Sequence, residues 1–148
     1  MPKKQTLERA RRDKREGKSA STQAGEFVRE EIETIRKGEH GARSTKQAIA
    51  IGLSKARRAG VKLPVPKKGR VPEQARRKAM QDLKKGKSDP NAKPSRKRSQ
   101  ATLKALQREG RAAASKQALS RQARAAARKR SPAERSAAAR KAARTRGK

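Results

Sequence analysis

Large apolar residues recur at helical spacing in one region only, from Ser21 to Gly60. At 100° per residue, Ala24, Phe27, Val28, Ile32 and Ile35 fall in one arc, and Glu26, Arg29, Glu30, Glu33 and Lys37 take the opposite side. The spacing predicts an amphipathic helix ended by Gly38 and Gly41. Ser44 followed by Gln47 reads as a capping box, so a second helix is expected from Thr45 to Ala59 with Gly60 as its left-handed cap. Its Ala48, Gly52 and Ala56 form a row of small residues that admits the first helix closely, with Ile49 and Leu53 interdigitating beside Phe27, Val28 and Ile35. The expected core is therefore Phe27, Val28, Ile32, Ile35, Ile49, Gly52, Leu53 and Ala56. Glu31 lies inside the apolar arc, where a carboxylate needs a partner; Lys46 or Arg57 is expected to supply it, unless Glu31 sits at the rim.

Outside this hairpin the apolar signal thins. Thr6–Glu16 has helix formers with a single large apolar residue, Leu7, and is read as a frayed helix or arm, residues 1–20. Beyond Gly60, the prolines at 64, 66 and 72 fix φ and predict an extended basic strap that ends the ordered unit. Pro72 suits the first turn of a short helix to Lys85, with Gly86 beyond and a thin stripe of Ala75, Ala79, Met80 and Leu83. Ser88–Arg98 is turn-rich, which makes 61–98 a basic linker with one short helix. Residues 99–148 form an Ala/Arg/Lys-rich tail. Ser99 caps a helix that Gly110 closes, and Ser131-Pro132-Ala133-Glu134 marks the start of a last helix to Arg144. Thr45-Lys46-Gln47-Ala48-Ile49 recurs as Ser115-Lys116-Gln117-Ala118-Leu119, which leaves chance or a degenerate second hairpin over 100–129 as readings.

The fold class that follows is all-α: a small helical hairpin with an extended basic helical tail, largely disordered or ordered by a partner. Charge sharpens this. The chain has 148 residues, 45 Lys and Arg against 13 Asp and Glu, a net charge of +32 and one aromatic residue. Such a composition buries little apolar surface. Residues 1–60 hold 16 basic and 8 acidic side chains and residues 61–148 hold 29 and 5, so the two parts carry +8 and +24.

An excess of this size attracts polyanions by counterion release, which points to nucleic acid. No segment pairs basic residues with the apolar anchors of a membrane-surface helix, so no membrane partner is expected. No apolar leader follows Met1-Pro2-Lys3-Lys4, and a cytoplasmic, nucleoid location is the expectation. Without Trp or Tyr, and with Phe27 committed to the hairpin, base stacking on single strands is unavailable. Duplex backbone contact is favoured, DNA ahead of RNA and without sequence readout.

The expected phosphate contacts are Arg57, Arg58, Lys67, Lys68, Arg70, Arg96, Lys97, Arg98, Arg121, Arg124, Arg128, Lys129, Arg130, Arg140, Lys141 and Arg144. Catalysis finds no constellation. His40 is the only histidine and is read as a solvated or phosphate-touching loop residue, and the Glu cluster on the first helix has salt-bridge spacing without metal-ligand company. No enzyme, cofactor, metal or small-molecule substrate is expected. The alternatives are a structured-RNA or ribosome-associated protein, and an interaction adaptor in which the hairpin binds a protein partner or a second copy.

Ser44, Lys46, Gln47, Ala48, Ile49, Ala50, Ile51, Leu53, Ser54 and Ala56, with the helix and Lys-Gly loop before them, resemble a small basic bacterial domain family of unknown function. That resemblance covers residues 27–60 and implies a bacterial origin and a helical hairpin, but no activity. The remainder resembles the Ala/Lys/Arg-rich tails of bacterial linker-histone-like proteins, which implies DNA binding without sequence preference.

Overall fold

The computed structural model describes residues 1–147. Among them it contains seven α-helices, one short 3₁₀ turn and no strand: α1 Lys4–Arg15, α2 Ala20–Arg36, α3 Thr45–Arg58, α4 Glu73–Ser88, α5 Arg96–Gln107, the turn Ala112–Ala114, α6 Lys116–Arg128 and α7 Pro132–Arg146. The all-α expectation holds. The tail is helical rather than disordered.

The expected hairpin is α2 packed on α3. Ser19 caps α2 by accepting the Thr22 N–H at 3.3 Å, and Gly38 takes φ 78°, a left-handed conformation that glycine adopts without steric cost. Ser44 accepts the Gln47 N–H at 3.1 Å. The Gln47 side chain accepts from Arg43 N–H, one residue before the cap, so the reciprocal bond of a capping box is displaced by one position. Gly60 has φ 96°, as its place after α3 requires.

The small row of α3 lies at the centre of the contact. Ala48, Gly52 and Ala56 are buried against α2, with Phe27, Ile32 and Ile35 packed around them, the half-buried Val28 lying directly over Gly52 and Leu53 half-buried beside it. Ile49 is half-buried and outside both apolar clusters, which corrects its assignment to the core. The face of α3 that meets α2 is set by the buried Ala48, Gly52 and Ala56, and Ile49, about 100° round the helix from Ala48, lies off it.

Two further segments close the ends of this hairpin. At one end α1 packs on α2 and contributes Ala10 and Leu7 to a cluster with Ala24, Phe27, Ala56 and Val61. It is no frayed arm: Lys3 N–H donates to both oxygens of Glu30, and Arg9 Nε lies 2.6 Å from Glu26. Glu30 is buried as a result, although its helical position had placed it on the solvent side.

At the other end the tail folds back. Ala113, Ala114 and Leu119 pack against Ile32, Ile35, Ala42 and Ala48. Thr45 Oγ1 donates to Ala113 O at 2.7 Å, Arg36 Nε to Ala114 O at 2.9 Å, Gly41 N–H to Leu106 O at 2.9 Å and Ala42 N–H to Gly110 O at 3.1 Å. A methyl group on Gly41 would overlap the main chain of Glu109 and Gly110. The repeated motif starts a helix in both places, but the cap of α6 is Ser115 whereas that of α3 is Ser44. No second hairpin forms, because α6 packs on α3 and the 3₁₀ turn instead of on α5.

The strap is extended as expected, yet it does not end the ordered unit. Val61 and Leu63 join the Phe27 cluster, and α4 packs on α3. The residues α4 buries are Ala79, Asp82 and Gly86, while Met80 of the expected stripe is 48% exposed. Gly86 does not end α4; it sits inside the helix, where a methyl group would strike Arg57 O. The helix expected from Ser99 begins at Arg96.

Candidate nucleic-acid interface

Internal pairing decides which cations are available to a partner. Arg57 is 6% exposed, its Nη2 donates to Pro64 O at 3.0 Å, and burial pushes its pKa below that of a free guanidinium against the opposing charge of Asp82. It is a structural cation and is removed from the predicted interface. Arg58 Nε lies 2.8 Å from Asp82 Oδ1 and is likewise committed.

Asp82 anchors α4. Its carboxylate accepts from Ser54 Oγ at 2.6 Å, from Arg58 Nε and from Lys78 Nζ at 3.3 Å. Burial pushes its pKa upward, but these hydrogen bonds and the positive charges of Lys78 and Arg58 outweigh that and hold it below the usual carboxylate range.

Glu31 is 1% exposed, so it does not sit at the rim. Its partners are Lys55, with Nζ 2.8 Å from Oε2, and His40, with Nε2 3.1 Å from Oε1; neither Lys46 nor Arg57 reaches it. His40 is correspondingly buried at 9% exposure, with Nδ1 2.9 Å from Gly41 O. The only histidine thus packs inside the hairpin loop and is not a solvated phosphate contact.

The remaining predicted cations are all exposed. Lys67, Lys68 and Arg70 lie in a turn closed by Arg70 N–H to Lys67 O at 3.1 Å. Arg96, Lys97 and Arg98 form the first turn of α5, where the positive end of the helix dipole adds to their charge. Arg121, Arg124 and Arg128 are exposed along α6, Arg121 beside the cleft that α6 forms with Lys46 of α3, with Lys129 and Arg130 following. Arg140, Lys141 and Arg144 are on α7, which buries nothing and has no apolar side. Its start is the capping box read from the sequence: Ser131 Oγ accepts from Glu134 N–H, and the Glu134 carboxylate accepts from Ser131 N–H. That backbone bond, with the nearby charges of Arg70 and Arg130, lowers the Glu134 pKa.

Among the described residues, no Lys or Arg beyond Lys78 lies within 4.0 Å of a carboxylate, and every one from Lys84 to Arg146 is exposed. The ion pairs are concentrated in α1–α4. Sequence reasoning missed Arg36, Arg111 and Lys116, which line a shallow cleft with Ala114 and Ser115. Only the return of the tail to the hairpin brings them together. No helix of the described residues is long and apolar enough to cross a membrane, and no group of three His, Asp or Glu stands in metal-binding proximity.

No curated protein and no solved structure matches the chain. Residues 4–69, the span from α1 through α3 into the strap, match a family described as a family of unknown function (DUF6496).

Proposed function

We propose that this protein binds nucleic acid through the phosphate backbone, duplex DNA in preference to RNA, as a nucleoid-associated or compacting protein that reads no sequence. The observation that carries the reading is the division of charge. Acidic residues of α1–α4 are taken up in internal pairs, while α5–α7 display exposed cations with no carboxylate of the described residues paired to them. Unpaired cations on helices release counterions from a duplex when they meet its phosphates.

Two more features support a backbone mode. The only aromatic residue, Phe27, is 1% exposed, so no ring is free to stack on an unpaired base. The Ala/Lys/Arg-rich composition of the tail resembles that of bacterial linker-histone-like tails, and most of the exposed polar side chains of α6 and α7 are Arg and Lys, which suit phosphate contact. In this reading α1–α4 is the rigid base and the tail supplies the contacts.

The test is fluorescence anisotropy of the full chain with two unrelated duplexes of equal length over a salt series. Equal affinities are expected, with log K falling linearly against log salt by about 0.9 for each phosphate neutralised. A shallow slope, or strong discrimination between the duplexes, would count against the proposal. Tighter binding to an RNA duplex in the same assay would transfer it to structured RNA.

A further inference from the structure

The surface where the tail meets the hairpin is electrostatically unusual. Two shallow clefts straddle this seam. One is lined by Arg36 of α2 with Arg111 and Lys116 of the tail; the other has Lys46 of α3 on one wall and Arg121 of α6 on the other. Each cleft takes cations from both sides, and no acidic residue lines either. Among the described residues, no carboxylate lies within 4.0 Å of any of these five cations.

Like charges facing each other across an interface oppose its closure, by an amount that salt screens over about 10 Å at 0.1 M ionic strength. What holds the seam shut is modest: two alanines, a half-buried Leu119, and four hydrogen bonds to main-chain carbonyls of the tail. The cations are held in place from both sides. Arg36 is tethered through Nε to Ala114 O, and Arg111 lies over Gly38, where an added methyl group would come within 3.2 Å of its Nη1.

We infer that this seam is a phosphate-binding site for the backbone of duplex DNA, and that the bound phosphates lock the tail onto the hairpin. The inference rests on the nucleic-acid reading above and adds a place and a consequence to it. A phosphate between Arg36 and the Arg111/Lys116 pair replaces repulsion with charge-assisted hydrogen bonds to both sides. Coupling of this kind is reciprocal: if DNA favours the closed seam, the closed seam raises affinity for DNA by the same factor.

The amides of Gly41 and Ala42 report the seam directly, because their N–H groups donate to Leu106 O and Gly110 O across it. The experiment follows their hydrogen exchange in the full chain, free and saturated with a short DNA duplex, for wild type, for the seam variant Arg111→Gln/Lys116→Gln/Arg121→Gln, and for the tail variant Arg140→Gln/Lys141→Gln/Arg144→Gln. Duplex binding by each protein is measured in parallel.

In wild type, DNA should slow exchange at both amides about fivefold or more, the lower end of ordinary coupling between sites. The tail variant should keep that gain while losing affinity. The seam variant, relieved of repulsion, should already exchange more slowly when free and gain little from DNA. If wild type binds the duplex with no change at Gly41 and Ala42, or if the seam variant keeps the full gain, the seam site is overturned while the nucleic-acid reading stands. If wild type does not bind the duplex at all, both fall. Equal protection by inorganic phosphate at the same phosphate concentration would overturn DNA as the ligand and leave a site for a small free anion.

Discussion

Gly52 of α3 lies against the main chain of Val28 of α2 so closely that a methyl group added to it would sit 2.7 Å from the Val28 Cα. The two helices meet backbone to backbone at that point, and the flanking Ala48 and Ala56 are fully buried. Gly52→Ala gains about 1 kcal/mol of helix propensity but forces a backbone apart, and overpacking of this sort costs about 1–3 kcal/mol or more. The clash should win, with a lower Tm by circular dichroism. Gly25, inside α2 with nothing within 4 Å of an added methyl group, provides the opposite case. Gly25→Ala should stabilise by about 0.5–1 kcal/mol. A lower Tm for Gly25→Ala, or an unchanged one for Gly52→Ala, would show that the packing is misplaced.

Glu31 and Lys55 should respond unequally to mutation. The Lys55 side chain is 31% exposed and regains water when its partner is removed, whereas Glu31 at 1% does not. Lys55→Ala therefore leaves a buried carboxylate facing only His40, a loss of the class that costs about 3–5 kcal/mol, while Glu31→Gln keeps a hydrogen-bonding group and should cost about 1 kcal/mol. Chemical denaturation of the two variants measures the difference, and equal losses would contradict the asymmetry.

Asp82 makes the docking of α4 sensitive to acid. Its folded pKa is held below the value of the unfolded chain, so it contributes stability that is present above the usual carboxylate range and is lost as pH falls through the folded value. Wild type should lose stability to Asp82→Asn progressively less as pH is lowered below that range. Denaturation midpoints of the two proteins across the acid limb test the sign; a gap that widens on acidification would reverse it.

Neutralising Arg140, Lys141 and Arg144 by glutamine should flatten the salt dependence of duplex binding without changing the fold, because α7 buries no residue. If all three meet phosphates, the slope of log K against log salt falls by roughly 0.9 for each, about 2.7 in total. The same substitution should leave the thermal midpoint of α1–α4 where it was. An unchanged slope would remove α7 from the contact surface.

The hairpin was legible because its pattern is local. Phe27, Ile32 and Ile35 recur at helical spacing, and the Ala48, Gly52, Ala56 row announces a close approach through residue size alone. The caps at Ser44 and Ser131 were legible for the same reason. What escaped were the segments that close its ends. Ala10, Ala113 and Ala114 are small residues in charged runs and carry almost no periodic signal, yet each is buried. Glu30 read as a surface carboxylate and Asp82 gave no signal, since the groups that bind them, the Lys3 N–H and the Ser54 hydroxyl, stand 27 and 28 residues away. Arg57 was misread in the same way, as its neighbours come from the strap and α4. The cations of the tail were easy to find, but the seam that gathers Arg36 with Arg111 and Lys116 was not.

The return of the tail makes the packed unit longer than the span that matches the family. The family match ends at residue 69, but the apolar cover of Ile32 and Ile35 comes from Ala113, Ala114 and Leu119. A shortened protein that stops at the family boundary would keep α1, α2 and α3 and leave one end of the hairpin bare to water, prone to self-association through that patch. The smallest piece with both ends closed runs to the end of α6 at Arg128, nearly twice as far along the chain.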